Sequence, residues 1–278
     1  MKIAVRGGHN YQATGASGFL NEVKEDRQVT KYLIDYLKKL GHIVIDVTPG
    51  DCDTNSDLVF GVSKANTNKV DLFISIHFNA AYTTTQSMGC ECVTFGDTES
   101  NIYATRICDK LSNIGFKNRA VKTNKSLYEL KNTVMPSVIV EVCFVDSSAD
   151  ATLYNLLTPQ KVARAIAEGI ANKPIDLTPV WKEDDVGWWY DLGNGTYPKN
   201  KWLEIKGEWY FFDAHGYALK ETWLKHENKW YYFNKDCQMV KDCILSIKGK
   251  YYAFNKDGAM KESTTIQVEI NSKGELIL

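Results

Sequence analysis

Aromatic residues recur in the last third of this chain at a fixed step. Trp209, Trp230 and Tyr251 are each separated by 21 residues, and Trp202, Trp223 and Ile244 keep the same spacing. The units around them read KGEWYFFDAHGYALKETW, ENKWYYFNKDCQMVKDCI and KGKYYAFNKDGAM. Each holds a turn, an aromatic strand and a second turn, which is one β-hairpin per repeat. A lone hairpin is marginal in water, so the units have to stack and bury their rings between them. The region from 181 to 278 is therefore expected to form a β-hairpin repeat solenoid, with Phe212 and Phe233 in its core.

Residues 1–173 follow a different pattern. All seven tryptophans lie between Trp181 and Trp230, and so sharp a shift marks a domain boundary. The stretch 174–180, which carries Pro174 and Pro179, reads as the linker. Before it, strands and helices alternate. Strands are expected at 2–6, 43–47, 72–76, 89–95 and 138–142, and helices at 22–40, 101–114 and 159–171. In the first helix Val29, Leu33, Leu37 and Leu40 form one stripe, and Gly41 suits its end. The run from Leu72 to Ile76 is apolar throughout, as a strand buried on both faces should be. This alternation gives an α/β domain with a mostly parallel sheet and flanking helices.

Charge and hydropathy exclude several functions. A net charge of −1 provides no basic field for nucleic acid or an anionic membrane. No stretch approaches the roughly 18 apolar residues that span a bilayer. The N-terminus runs at once into a strand and Gly7-Gly8-His9, without the basic start and apolar run of a secretory signal. The chain is thus expected to be made in the cytoplasm without a signal peptide. Seven cysteines, an odd number with no C-x-x-C pair, read as free thiols that mostly pack.

Four residues of the first region carry candidate chemistry. His9 follows the first strand, His77 follows the apolar third strand, and Glu141 lies within Val138-Ile139-Val140-Glu141-Val142. Ligand sites in open parallel sheets form at the carboxyl ends of strands, which places these three at one rim. Glu22 opens the long helix and can return its carboxylate there. Three N/O ligands with a fourth position open, plus a carboxylate base, is the donor set of a catalytic zinc. Each residue also has a plainer reading. A histidine at a strand end is commonly structural, and a glutamate opening a helix is favoured by the helix dipole. Spacing alone leaves both readings open, although Glu141 within an apolar strand is costly to bury without a partner.

The pieces Arg6-Gly7-Gly8-His9-Asn10, Gly18-Phe19-Leu20-Asn21-Glu22, Leu72 to Ala80 and Pro136 to Val145 resemble, in order, the four motifs of the zinc N-acetylmuramoyl-L-alanine amidases. The resemblance spans nearly the whole first region. It implies zinc ligation by His9, Glu22 and His77, catalysis by Glu141, and peptidoglycan as substrate. Two features depart from the pattern. Cys143 stands where the last motif usually has glycine, and Glu25 rivals Glu22, which better fits the family's distance to Gly41. His42, His215 and His226 match no motif. A phage endolysin and a host autolysin share these parts. A zinc peptidase cutting the stem peptide and a non-catalytic wall-binding protein are the alternatives.

From Gly187 onward the chain resembles the choline-binding repeats of cell-wall lysins and autolysins. The resemblance implies aromatic cages for the quaternary ammonium of choline on teichoic acids, held by cation–π attraction. The expected walls are Trp202 with Trp209 and Trp223 with Trp230, with Tyr232 reaching across repeats. In the last unit Ile244, Tyr251 and Ala253 replace Trp223, Trp230 and Tyr232, so one to three working sites are expected. The resemblance also implies a homodimer contact through the C-terminal segment.

Overall fold

The computed structural model describes residues 1–193, 196–265, 267, 269–273 and 276–277. The chain divides into two compact units, Met1–Ile175 and Asp176–Leu278. Ile175, within the stretch read as a linker, is buried, and its N–H donates to Glu168.

The first unit runs β1 (Lys2–Gly7), α1 (Glu22–Lys39), β2 (Ile43–Asp46), α2 (Thr54–Thr67), β3 (Leu72–Asn79), β4 (Cys90–Thr94), α3 (Thr98–Asn113), β5 (Asn118–Thr123), α4 (Tyr128–Asn132), β6 (Ser137–Phe144) and α5 (Ser148–Ala171). The strands form one sheet of order β2-β1-β3-β6-β4-β5. It is parallel except where β4 meets β6 antiparallel. Ile3, Val5, Leu72, Ile74, Val138 and Val140 are fully buried in the central strands, as a sheet covered on both faces requires. In α1 the Asn21 side chain caps Lys24 N–H, acidic Glu22 and Glu25 fill the first turn, and Lys38 and Lys39 the last.

Three elements lie outside the sequence expectation. Helix α2 buries Asp57 and Gly61 beside Val62 and Ala65, so it shows no clean apolar stripe. Its start was signalled only by Asp53, whose carboxylate caps Asn55 and Ser56 N–H. Strand β5 is an edge with mostly polar, exposed residues, and α4 is one short turn. Within α5 the backbone is non-helical at Thr158 (φ 68°, ψ 151°), so the expected helix from Pro159 to Ala171 is present and a further helical segment from Ser148, not expected from the sequence, precedes it.

The second unit is a series of antiparallel hairpins. These pair β7 (Val180–Glu183) with β8 (Trp188–Asp191), β9 (Lys201–Ile205) with β10 (Glu208–Phe212) and β11 (Thr222–His226) with β12 (Lys229–Phe233). They are followed by β13 (Cys243–Ile247) with β14 (Lys250–Phe254), and by a short pair of β15 (Glu269–Ile270) with β16 (Leu276–Ile277). The same backbone stitch recurs at the 21-residue period: Ala218, Met239 and Met260 N–H donate to the carbonyls of Trp188, Trp209 and Trp230. Phe212, Phe233 and Phe254 are buried, and Trp181, Trp202 and Trp223 pack on them at ring distances of 5.7, 5.5 and 5.8 Å. Residues 268, 274, 275 and 278 of the closing stretch, on which the expected homodimer contact falls, lie outside the described residues, as do 194, 195 and 266.

Candidate functional site

His9, Glu22 and His77 come together at the carboxyl ends of β1 and β3. One ligand atom from each lies within 4.8 Å of the others. Glu22 Oε1 is 3.1 Å from His9 Nε2 and 3.2 Å from His77 Nδ1. The carboxylate is fixed by backbone donors: Phe78 N–H to Oε1 at 3.0 Å and Ala16 N–H to Oε2 at 2.7 Å. Burial alone would raise its pKa, but hydrogen bonds and charge from His77 and His9 outweigh burial and hold it well below the carboxylate range. Glu25 takes no part in the cluster. It accepts from the Tyr154 hydroxyl at 3.0 Å.

Each histidine is oriented through its other nitrogen. His9 Nδ1 donates to the Ala13 carbonyl at 3.0 Å, which leaves Nε2 for the cluster. His77 Nε2 lies 3.1 Å from Ser75 Oγ and 3.7 Å from Glu129 Oε2. Ser75 Oγ–H donates to Glu129 Oε1, so Ser75 accepts from His77 and the Nδ1 face looks toward Glu22. Two imidazoles and a carboxylate whose remaining donors are tied to carbonyl, hydroxyl and carboxylate partners fit a metal ion of the zinc type. A side chain at Gly8 would overlap the His77 imidazole, and one at Gly15 would overlap the Glu22 carboxylate.

Glu129 was not singled out in the sequence, and neither were Arg6 and Asp57. All three are buried. Arg6 Nη1 lies 3.0 Å from Glu129 Oε1, Arg6 Nη2 pairs with Asp57, and Asp57 also accepts from Asn10 Nδ2. Burial would raise the Glu129 pKa, but Arg6 and His77 bring it below its ordinary value. A chain of ions thus runs from helix α2 to the back of His77. The available signal was an arginine placed inside an apolar strand, a position that demands buried partners.

Glu141 is the register partner of His77 across β3 and β6. The residue is half-buried, yet its Oε2 is shut off from solvent and has no hydrogen-bond partner among the described residues. Burial pushes the carboxyl up to about 7, against the pull of His77 and with help from Glu22, Glu91 and Glu129.

In the second unit the paired tryptophans form open aromatic boxes. Trp202 and Trp209 stand edge to face at 6.5 Å, and Trp223 and Trp230 at 6.3 Å. The third wall comes from the next hairpin: Tyr231 lies 5.0 Å from Trp202 and Tyr252 lies 4.9 Å from Trp223. Tyr232, expected in that role, instead packs on Trp223 within its own hairpin at 5.1 Å. The reason is strand alternation: Tyr231 and Tyr232 point to opposite faces of β12. Met239 and Met260 complete the two pockets. A third box was missed. Trp181 and Trp188 stand at 6.4 Å, and Tyr210 lies 4.8 Å from Trp181. The 21-residue step back from Trp202 and Trp209 would have found it.

The sequence profile of the N-acetylmuramoyl-L-alanine amidases matches residues 3–172. The chain belongs to that family. In its second unit a cell wall binding repeat profile matches residues 200–218, and a choline-binding repeat profile matches 221–264. An uncharacterized protein of Clostridium perfringens (strain 13 / Type A) is 48% identical over 191 residues, covering 67% of this chain and 57% of its own. The N-acetylmuramoyl-L-alanine amidase LytC of Bacillus subtilis (strain 168) is 34% identical over 173 residues, covering 60% of this chain and 34% of its own. Among solved structures, the catalytic domain of the CD27L endolysin targeting Clostridia difficile superposes with a TM-score of 0.58 at 31% identity. That match covers 63% of this chain and 99% of the other. The chain spans about half the length of the C. perfringens relatives it matches. The amidase-family match ends at residue 172, just before the break at 175/176 between the two units.

Proposed function

We propose that this chain is a zinc-dependent amidase of the bacterial cell wall, hydrolysing the amide between N-acetylmuramic acid and L-alanine. The observation that carries the reading is the convergence of His9, Glu22 and His77 beside Glu141 in a chain of this family. His9 Nε2, Glu22 Oε1 and His77 Nδ1 would hold the ion. When bound, zinc supplies a Lewis acid for the scissile carbonyl and makes water a stronger acid. Glu141 accepts a proton from the attacking water. The water oxygen adds to the lactyl carbonyl carbon, the C–N bond breaks, and Glu141 returns the proton to the departing amine of L-alanine.

Catalysis belongs in this reading to the first unit and wall binding to the second. The boxes of Trp202, Trp209 and Tyr231 and of Trp223, Trp230 and Tyr252 offer ring faces to a quaternary ammonium, which cannot donate hydrogen bonds. Choline on teichoic acids is the proposed ligand. Mass spectrometry of digested walls tests the catalytic reading. The expected product is a stem peptide with a free L-alanine amino group and intact peptide bonds. Cuts between amino acids would mark a stem peptidase instead.

A further inference from the structure

We propose that Arg119 forms a carboxylate-binding subsite for the stem peptide, beside the reacting centre; this rests on the amidase reading above. His77, Glu141 and Glu91 are successive register partners across β3, β6 and β4. Register partners project from the same face of a sheet, so the three stand in one row, with steps of about 4.8 Å. The row continues onto β5. There Cys90 pairs with Asn118 but Cys92 pairs with Val121, so β5 carries one extra residue opposite Glu91. Ala120 takes up the bulge with a φ of 66°, and its N–H donates to Asn118 Oδ1 at 2.7 Å. Bulges of this kind re-aim a neighbouring side chain, and here the neighbour is Arg119.

The guanidinium is held from two sides. Its Nε–H donates to Glu91 Oε2 at 2.8 Å, and its central carbon sits 4.8 Å from the Phe144 ring centroid. Glu91 is in turn anchored by Asn79 Nδ2 at 3.0 Å. Both terminal nitrogens of Arg119 are left without a protein partner among the described residues, and the side chain is 31% exposed. A fixed guanidinium with its end free is a fork for a carboxylate.

The chemistry of the polymer says which carboxylate. On the acyl side of the scissile amide lie neutral N-acetylated sugars; free carboxylates lie on the peptide side. From Glu141 to Arg119 is two strand spacings, about 10 Å. An extended peptide advances about 3.3 Å per residue, so the group read is carried by the second or third residue of the stem.

The test uses muramoyl-tripeptides whose second or third residue carries its free carboxylate or the corresponding amide. Affinity is measured by calorimetry on the full chain with Glu141→Gln, and KM and kcat on the chain with Glu141 intact. The Arg119 side chain is expected to favour one carboxylate form about 10- to 100-fold, through KM with little change in kcat. Arg119→Ala should abolish that preference, and Arg119→Lys should restore part of it. A preference that survives Arg119→Ala, or a loss equal for acid and amide, overturns the subsite. Should the chain with Glu141 intact cleave none of these compounds, the amidase reading fails, and the calorimetric preference still decides the role of Arg119.

Discussion

Glu129 stands directly behind His77, its Oε2 3.7 Å from Nε2 and its Oε1 on the Arg6 guanidinium at 3.0 Å. The imidazole at the mouth of the site is therefore set by an ion network whose other end lies in helix α2, at Asp57. Replacing Glu129 by Gln keeps the shape but removes the charge. Loss of such an orienting carboxylate lowers metal affinity or activity by about 10- to 100-fold. We expect Glu129→Gln to bind zinc more weakly by that factor and to melt earlier, since Arg6 loses a buried counter-charge. Unchanged zinc affinity in a metal titration would remove Glu129 from the site.

The metal itself is tested at His77. His77→Ala removes one of the three proposed ligands, and the expected result is loss of both stoichiometric zinc and wall lysis. Chelation of the parent chain should silence it, and added zinc should restore it. Full zinc occupancy in the variant, measured by atomic emission, would disprove the assignment.

Glu141→Gln should retain zinc and lose about 10²- to 10⁴-fold in turnover, the range a general acid–base group supplies. Near-normal turnover would make Glu141 structural and require another base.

The same residue predicts a pH dependence of stability in the metal-free chain. Its carboxyl is pushed from 4.5 up to about 7, by burial above all. Between those values the folded chain holds a proton that the unfolded chain has released. Glu141 therefore favours folding most below about 4.5, and that advantage is lost as pH rises through about 7. Melting temperatures of the metal-free parent, taken relative to Glu141→Gln, should fall across that window and level off above it. A relative rise would contradict the burial argument.

In the second unit, Trp223→Ala and Tyr252→Ala should each weaken retention on choline resin without touching zinc content. One cation–π contact is worth only about 0.5–2 kcal/mol, so retention depends on several boxes acting together. Millimolar choline should elute the chain and inhibit lysis of whole walls, while small soluble fragments are still cut. An isolated second unit that ignores choline resin yet binds walls would point to sugar rings as the ligand.

The sequence by itself determined the two architectures and singled out the residues that the structure gathers into the candidate site, His9, Glu22 and His77 with Glu141 beside them. A 21-residue aromatic step cannot be buried except by stacking hairpins, and alternating apolar strands and amphipathic helices cannot be covered except as an α/β layer. The polar residues His9, His77 and Glu141 were conspicuous because they end or interrupt apolar strands. Tertiary structure alone decided which polar groups stand behind them. Asp57 lies on a helix without an apolar stripe, and Glu129 on a single turn, so neither left a periodic signal; both are buried against the Arg6 guanidinium. It also decided that Tyr231 rather than Tyr232 closes a box, since which face of β12 meets the preceding hairpin depends on how the repeats dock. The antiparallel turn of β4 against β6, which sets Glu91 and Arg119 in line with Glu141, is likewise a property of the assembled sheet. Strand order arises from contacts between segments far apart in the chain, and local residue patterns carry no record of it.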